Sequence, residues 1–458
     1  MNGTRTQTHR EVEFKFRVPQ DFALESLLTG DFTAEKAPIR NMSATYFDTT
    51  AATLLRWGIT MRHRTGGSDD GWHMKVPVFD SGVSSGASVR SELHVDAPAG
   101  DPPAQFIAVI GALLRDSELV PLARVDTGRT PFFITQSGEE ILEVVSDHVQ
   151  VYRGENLVDS FHEVEVELLQ DSGLGVAKKI VTLLKSAGAT PSSVSKASAG
   201  FGAVATAQPD IPKLPRPKKS ALPYDLVRWA LTQQARSVVR TEVQSHLDHS
   251  PEFLIHELSL TSQVLSVLSA YLDPAETLTM LEEIDWLVTE LSSPEQIDVD
   301  HARAISSLDA IHDPLDRHEA LLAIEAYFDR RGISAQSSAI AAQRSDRYFY
   351  FFSDLMDFAT IPPFTDLAYS PQKIWKNIDP TNVQAAARIF QRVFPKKSRK
   401  ILAQLPSTNL LGNQSQIREV LRRIAMDPHT TAAAAYSLGT AVGQLSITPV
   451  ALGGETRE

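Results

Sequence analysis

The feature that most constrains this chain is an alternation of charged and bulky apolar side chains, met first at Glu11-Val12-Glu13-Phe14-Lys15. In an extended strand successive side chains point to opposite faces, so Glu11, Glu13 and Lys15 share one face while Val12, Phe14 and Phe16 share the other. Taken alone, such a strand is a half-buried surface strand with its polar side in water. The pattern recurs, however. Glu163-Val164-Glu165-Val166-Glu167 sets three carboxylates on one face, and Ile59-Thr60-Met61-Arg62-His63-Arg64 does the same with Arg62 and Arg64. Several strands, each with one charged face, predict a sheet rolled around a charged interior.

Between residue 9 and about residue 170, short alternating runs are punctuated by Gly, Pro, Asp and Ser, the pattern of a β-rich domain. Strands are expected over 9–18, 42–48, 58–63, 71–77, 88–95, 130–135, 141–152 and 160–169, and helices over 22–28, 104–114 and 175–187. Eight strands with few helices fit an antiparallel barrel better than a doubly wound sheet. Residues 205–222 then crowd prolines and lysines together, which favours an extended spacer and marks a domain boundary. Beyond it the apolar period becomes helical over 226–246, 252–272, 275–291, 299–311, 316–328, 348–358, 383–394, 414–426 and 430–445, with Pro251, Pro274, Pro314 and Pro428 at breaks. The expected fold class is a two-domain α+β chain: an eight-stranded antiparallel β tunnel with flanking helices over 1–204, a linker over 205–222, and an all-α bundle over 223–458.

Composition narrows the partners. A chain of 458 residues exceeds one compact domain, and its 42% hydrophobic and 22% charged residues are those of a globular protein. The absence of cysteine removes disulfides, thiolate metal sites and cysteine nucleophiles, so any metal must sit on oxygen or imidazole. A net charge of -12 argues against nucleic acid as a partner and requires a polyanionic ligand to find a local basic pocket. Residues 1–10 lack the apolar core of a signal peptide, 106–114 is too short to span a bilayer, and 432–452 is interrupted by Gln444, Ser446, Gly439 and Gly443. The expectation is a cytoplasmic protein with no membrane partner.

A barrel lined by Glu11, Glu13, Glu163, Glu165 and Glu167 together with Arg62, Arg64 and Lys75 confronts a simple electrostatic problem. Crowded carboxylates in an enclosed space repel one another, and burying them unpaired is costly. A divalent cation or an opposing ammonium resolves the repulsion. Mg²⁺ and Mn²⁺ prefer carboxylate and water oxygens and share them with ligand phosphates, whereas Arg and Lys bind phosphate oxygens directly. A cavity holding both sets suits a metal-bound polyphosphate.

The first domain resembles the CYTH domain, the triphosphate tunnel metalloenzyme fold, over about residues 9–200 and in the family's motif order. Glu11 to Lys15 is the E-x-E-x-K signature, and Tyr46-Phe47-Asp48-Thr49 matches Y-F-D-T. Leu54 to Arg64 matches L-x-x-x-G-x-x-L-R-x-R with Met61 at the second leucine, Trp72 to Pro77 resembles the lysine strand, and Arg90-Ser91-Glu92 the R-x-E strand. Glu143 and Asp147 resemble E-x-x-x-D, Phe161 to Leu168 the closing E-x-E-x-E strand, and Ser195-Lys196 the final S-K.

This resemblance implies that Lys15, Arg62, Arg64, Lys75, Arg90, Arg129 and Lys196 bind phosphate and that Glu11, Glu13, Glu163 and Glu165 hold Mg²⁺ or Mn²⁺. It further implies supporting roles for Glu92, Glu143 and Asp147, with Glu11, Glu13, Lys15 and Glu167 at the chemistry. The segment Arg124 to Arg129 carries fewer basic residues than the family pattern. Trp72 and Tyr46 are read as barrel packing rather than ligand stacking. His63 points away from Arg62 and Arg64, whereas His73 shares the face of Lys75.

The helical half resembles a degenerate CHAD domain, a bundle that often follows CYTH and binds polyphosphate. His256 in Ile255-His256-Glu257-Leu258-Ser259 matches V-H-x-x-R-V, but Ser259, Gln263, Val264 and Ser266 replace the arginines. Glu283-Ile284-Asp285-Trp286-Leu287 keeps E-x-x-W-L, Glu295 to Val299 replaces R-D-x-D-V, and Leu410-Leu411-Gly412 keeps the core of a second repeat. Basic residues remain at Arg388, Arg392, Lys396, Lys397, Arg399 and Lys400 and at Arg418, Arg422 and Arg423, where a solvated helix face outweighs a polyphosphate contact. The expected function is metal-dependent hydrolysis of a linear triphosphate, inorganic triphosphate first. The alternatives are a non-catalytic polyphosphate-binding protein, or a thiamine triphosphatase or nucleotide cyclase of the same superfamily.

Overall fold

A computed structural model of the chain describes residues 7–28, 32–67, 69–78, 86–115, 117–218, 221–248, 250–292, 294–334, 342–343, 345–365, 420–421, 424–425, 427 and 429–444. The chain divides into two compact units between Asp210 and Ile211.

The strands of the first unit are β1 (Gln7–Val18), β2 (Thr33–Lys36), β3 (Arg40–Asp48), β4 (Thr60–Thr65), β5 (Gly71–Pro77), β6 (Ser88–Val95), β7 (Val120–Gln136), β8 (Glu139–Arg153), β9 (Asn156–Leu168) and β10 (Thr190–Pro191). The order β1-β6-β5-β4-β3-β7-β8-β9 returns to β1 through a β1–β9 pairing, so eight strands close on themselves. Their pairings are antiparallel throughout. Short β2 and β10 attach to β7 and β1. The sequence reading missed both. It also began β7 at Thr130 rather than Val120; Pro131 sits where β7 changes partner on one side, Arg129 pairing with Arg40 and Phe132 with Lys36, and lies opposite Val145 of β8 on the other.

The main core of this unit lies outside the barrel wall. Phe14, Phe16, Val144, Val164 and Val166 turn their apolar faces outward against Ile180, Val181 and Leu184 of helix Leu174–Ser186 and against Leu24 and Leu28 of helix Leu24–Leu28. The interior is then free to be polar. A second apolar cluster joins Ala44, Ala123, Val125, Val149 and Val151 to Ala197 and Phe201.

Asp48 explains the Y-F-D-T segment structurally. Its buried carboxylate accepts hydrogen bonds from the amides of Thr49 at 2.7 Å and of Leu54 and Leu55 at 2.9 Å, anchoring the short helix Thr53–Arg56 that turns the chain from β3 into β4. Three otherwise unpaired N–H groups are satisfied by one side chain.

The second unit is helical: Pro223–Asp248, Glu252–Leu268, Pro274–Leu291, Pro294–Ser306, Pro314–Ser334, Asp346–Thr360 and Ala432–Gln444. Asp273 caps Pro274–Leu291, its side chain accepting from Ala275 N and Glu276 N, with Pro274 in the first turn. Glu283 and Trp286, the surviving E-x-x-W outline, both engage Arg347: Glu283 pairs with its guanidinium through two 3.0 Å contacts, and the guanidinium stacks 4.2 Å from the Trp286 ring. His256 is exposed. Among the described residues one segment, Glu252–Tyr271, has the length and mean hydropathy of a membrane span, which the sequence reading had not singled out; half of it is buried within the unit. The helix expected over 383–394, the basic residues 388–400, Leu410 to Asn413, and Arg418, Arg422 and Arg423 lie outside the described residues, as does most of the helix expected over 414–426.

Asp48→Asn keeps shape but replaces one accepting oxygen by an amide donor. Chemical denaturation is expected to show a loss of about 1–3 kcal/mol, the usual cost of unsatisfied buried donors.

Candidate active site

Inward-facing residues recur at every second position of the barrel strands, and the register decides which charges meet. Glu11 lies opposite Arg90, Glu13 opposite Glu167, Lys15 opposite Glu165, Lys75 opposite Glu92, and Arg129 opposite Asp147. Asp147 in turn lies opposite Glu163, and Glu143 opposite Glu167. Apart from Glu163 and Asp147, every site residue expected from the sequence lines one cavity of about 230 Å³. Those two reach the lining through Lys196 and Arg129.

The first group gathers round Lys196. Its Nζ lies 2.7 Å from Glu163 Oε1, 2.8 Å from Glu165 Oε1 and 3.0 Å from Asp147 Oδ2. Arg129 clamps Asp147 with Nε–Oδ1 2.9 Å and Nη2–Oδ2 2.7 Å, and the same Nη2 reaches Glu165 Oε2 at 2.8 Å. Lys15 Nζ is 2.7 Å from Glu165 Oε1. Burial opposes ionisation of Asp147 and Glu165, but the surrounding cations outweigh it and hold both below the usual carboxylate range. Glu163 goes the other way, since burial holds its pKa up despite Lys196. Oxygens of Asp147, Glu163 and Glu165 lie within 4.8 Å of one another, a spacing that suits a divalent ion. The Lys196 ammonium already stands among them.

The second group centres on Lys75 and Glu92. Lys75 ion-pairs with Glu11 and lies 3.5 Å from Glu92 Oε2; Arg62 Nη2 is 3.9 Å from Glu92 Oε1 and its Nη1 donates to the Tyr46 hydroxyl at 3.1 Å. Arg64 pairs with Asp69. Arg90 Nε donates to Ser88 Oγ at 3.1 Å.

A third group is short of cations. Glu13 is 3.9 Å from Lys15 and Glu143 is 3.9 Å from Arg40. The pKa of Glu167 is pushed up to about 8 by burial and by Glu11, Glu13 and Glu143, with only Lys75 among the main opposing influences. Glu11 Oε2 is buried without a hydrogen-bond partner. Unpartnered buried carboxylate oxygens suit a divalent cation, and they occur at Glu11 in this group and at Glu163 in the first. Of the four carboxylates expected at the metal, Glu11 and Glu13 face this group, while Glu163 and Glu165 belong to the one whose oxygens, with those of Asp147, lie within 4.8 Å of one another and contact Lys196.

Arg129, which the sequence marked out least, is held by Asp147 and Glu165 as closely as Lys196 is held by its three carboxylates. Trp72 is packing, fully buried with its Nε1 donating to Pro98 O at 3.1 Å. His63 faces away from the cavity and contacts Ala97 O. Tyr46 is packing as expected, buried in the second apolar cluster, and its hydroxyl also lines the cavity and accepts from Arg62. Arg40 and His9, also in the lining, were missed. Arg40 was lost because the strand was begun at Met42; alternation carried two residues back from Met42 would have placed it inward.

Residues 9–200 match the CYTH domain family. Over 376 residues the chain is 28% identical to an uncharacterized protein of Mycobacterium tuberculosis, spanning 76% of this chain and 70% of that one. Among solved structures it is similar to HpAC1 from Hippeastrum, named an adenylyl cyclase with a dominant triphosphatase activity, at 20% identity over 41% of this chain and 92% of that one, TM-score 0.26. PptA from Streptomyces chartreusis is 16% identical over 48% of this chain and 93% of that one, TM-score 0.25. With a closed antiparallel tunnel, the E-x-E-x-K strand and the closing E-x-E-x-E strand side by side in it, residues 9–200 are a CYTH domain.

Proposed function

We propose that this domain is a divalent-metal-dependent triphosphatase that hydrolyses a linear triphosphate, inorganic triphosphate in the first place, to pyrophosphate and phosphate. The observation that carries the reading is the lining of the cavity. All seven basic residues named from the sequence as phosphate ligands, Lys15, Arg62, Arg64, Lys75, Arg90, Arg129 and Lys196, share one cavity with Glu11, Glu13 and Glu167. Its only hydrophobic side chains are Met42 and Tyr46, and Tyr46 is already engaged by Arg62. A cavity of about 230 Å³ falls below the roughly 300–1,000 Å³ of sites for larger organic ligands. It offers phosphate partners at every turn and no platform for a base or thiazole.

In this reading Arg62, Arg64, Lys75 and Arg90 take the phosphate oxygens, and Arg64 exchanges Asp69 for substrate. Lys15, Arg129 and Lys196 bind at the other group while keeping Asp147 and Glu165 ionised. Glu11, Glu13 and Glu167 hold Mg²⁺ or Mn²⁺, which when bound neutralises charge developing on the leaving pyrophosphate. A carboxylate of this set orients the attacking water and takes its proton. No covalent nucleophile is required. Residues 223–458, by their resemblance to CHAD, are the segment for polyphosphate association.

Glu13→Gln is expected to lower metal-dependent phosphate release from inorganic triphosphate by at least about a hundredfold, on the order of what one group taking part in the chemistry contributes, with an unchanged circular-dichroism spectrum. An undiminished rate removes Glu13 from the mechanism. On a panel of triphosphate, longer polyphosphate, ATP and thiamine triphosphate, inorganic triphosphate is expected to show the highest kcat/KM, and chelator to abolish it; tight binding of polyphosphate with no release supports the binding protein instead.

Glu167 supplies a pH test. Its folded pKa of about 8 lies above the ordinary 4.5, so the metal-free fold keeps a proton that the unfolded chain has lost. That contribution to stability is present below the unfolded value and is lost as pH rises through about 8. A bound divalent ion favours the carboxylate, so binding of Mg²⁺ or Mn²⁺ at pH 7 is expected to release about one proton per site, read by calorimetry in buffers of different ionisation enthalpy. Glu167→Gln is expected to abolish the release.

A further inference from the structure

His73 was noted in the sequence only for sharing the face of Lys75, and no role assigned above uses it. It is buried on β5, and both of its ring nitrogens face acceptors. Nε2 lies 2.8 Å from the backbone oxygen of Asp69, and Nδ1 lies 3.0 Å from Glu92 Oε1. A carbonyl oxygen only accepts, so Nε2 carries a proton. An ionised carboxylate also only accepts, so Nδ1 must carry one as well unless Glu92 is protonated. A neutral imidazole beside an ionised Glu92 leaves two lone pairs facing each other, and the pair therefore holds one proton more than those two states would.

The surroundings decide where that proton sits. Glu92 Oε2 lies 3.5 Å from Lys75 Nζ and 3.5 Å from His9 Nε2, and Arg62 stands 3.9 Å from Oε1. A carboxylate so surrounded stays ionised, which leaves the proton on His73. The other elements packed here act in both directions: Arg62 and Arg64 of β4 repel an imidazolium, Glu92 of β6 attracts it, and His94 of β6 stacks on it at 4.6 Å. Burial adds to the repulsion, and together these pull the His73 pKa below its ordinary value. The proton is required by geometry yet weakly held.

We propose that His73 is a positioning residue of the tunnel that, as an imidazolium, fixes Glu92 and through it Lys75 and Arg62, and that occupation of the tunnel by a triphosphate tightens its hold on the proton. The coupling rests on the triphosphate reading above; the protonated dyad does not. A polyphosphate drawn to Arg62, Arg64 and Lys75 cancels the positive field that opposes the charge on His73. The bound form then has the higher proton affinity. By reciprocity, triphosphate binding gains most below the free-state pKa of His73, by about tenfold for each unit of difference between free and bound states, and the gain is lost as pH rises through the bound-state pKa.

Two measurements separate the claims. Nitrogen-15 NMR of histidine-labelled, metal-free protein, followed from pH 7 down to pH 5, is expected to show His73, identified by its loss in His73→Gln or His73→Asn, taking up a proton on its second nitrogen below pH 6.5; one bare nitrogen persisting at pH 5 overturns the dyad. Equilibrium dialysis of inorganic triphosphate in chelator, where metal-dependent turnover is blocked, is then run from pH 5 to 9 on wild type and variants. The substrate's own titration cancels in the ratio of variant to wild-type Kd. That ratio is expected to fall from about tenfold at pH 5 to near one at pH 9. A ratio constant across the range overturns the coupling. Failure of triphosphate to bind in chelator at any pH overturns the coupling, metal-dependent phosphate release still deciding the functional reading, and the NMR spectrum then decides the protonated dyad by itself.

Discussion

The structure depends on one electrostatic constraint: carboxylates and cations carried on separate strands must neutralise one another inside a closed wall. Bringing unpaired charges out of water costs several kcal/mol each, and removing one partner of a buried pair commonly costs about 3–5 kcal/mol. Lys196 illustrates the solution. Its single ammonium lies within 3.0 Å of three carboxylates, and it arrives from beyond β10, after the strands that carry Asp147, Glu163 and Glu165 have been laid down. The Ser195-Lys196 pair therefore completes the interior of the barrel as much as it serves a ligand.

Such an interior is possible because the apolar face of each strand looks outward. Helix Leu174–Ser186 and its neighbours cover Phe14, Phe16, Val164 and Val166, so hydrophobic burial is obtained on the convex side of the wall and the concave side is left to charge. The charge is unevenly neutralised. Round Lys196 the carboxylates are matched by Arg129 and Lys15, whereas Glu167 is crowded by Glu11, Glu13 and Glu143 with Lys75 opposing them.

Most of the tunnel was legible in the sequence, for a definite reason. Alternation with period two is a local signal, and a charged residue at every second position can only mean a polar face, so β1, β5, β6, β8 and β9 and their inward residues could be read directly. What could not be read was pairing across strands. Nothing in Glu163-Val164-Glu165 says that Lys196 will sit among its carboxylates while Glu11 and Glu13 face Glu167 instead, because register joins residues more than a hundred positions apart. Tyr46 packs as an aromatic in a strand should, and that its hydroxyl also takes Arg62 could not be read for a related reason. Short β2 and β10 left no periodic trace. In the helical unit, Glu283 and Trp286 both hold Arg347, a contact that the sequence did not reveal.

The measurement that bears most directly on this account is the anomalous scattering of Mn²⁺ in crystals of the protein. The unequal neutralisation of the tunnel predicts a peak bounded by Glu11, Glu13 and Glu167, with Lys196 still in contact with Asp147, Glu163 and Glu165. A peak among Asp147, Glu163 and Glu165 with the Lys196 ammonium displaced, and none beside Glu13, would contradict it.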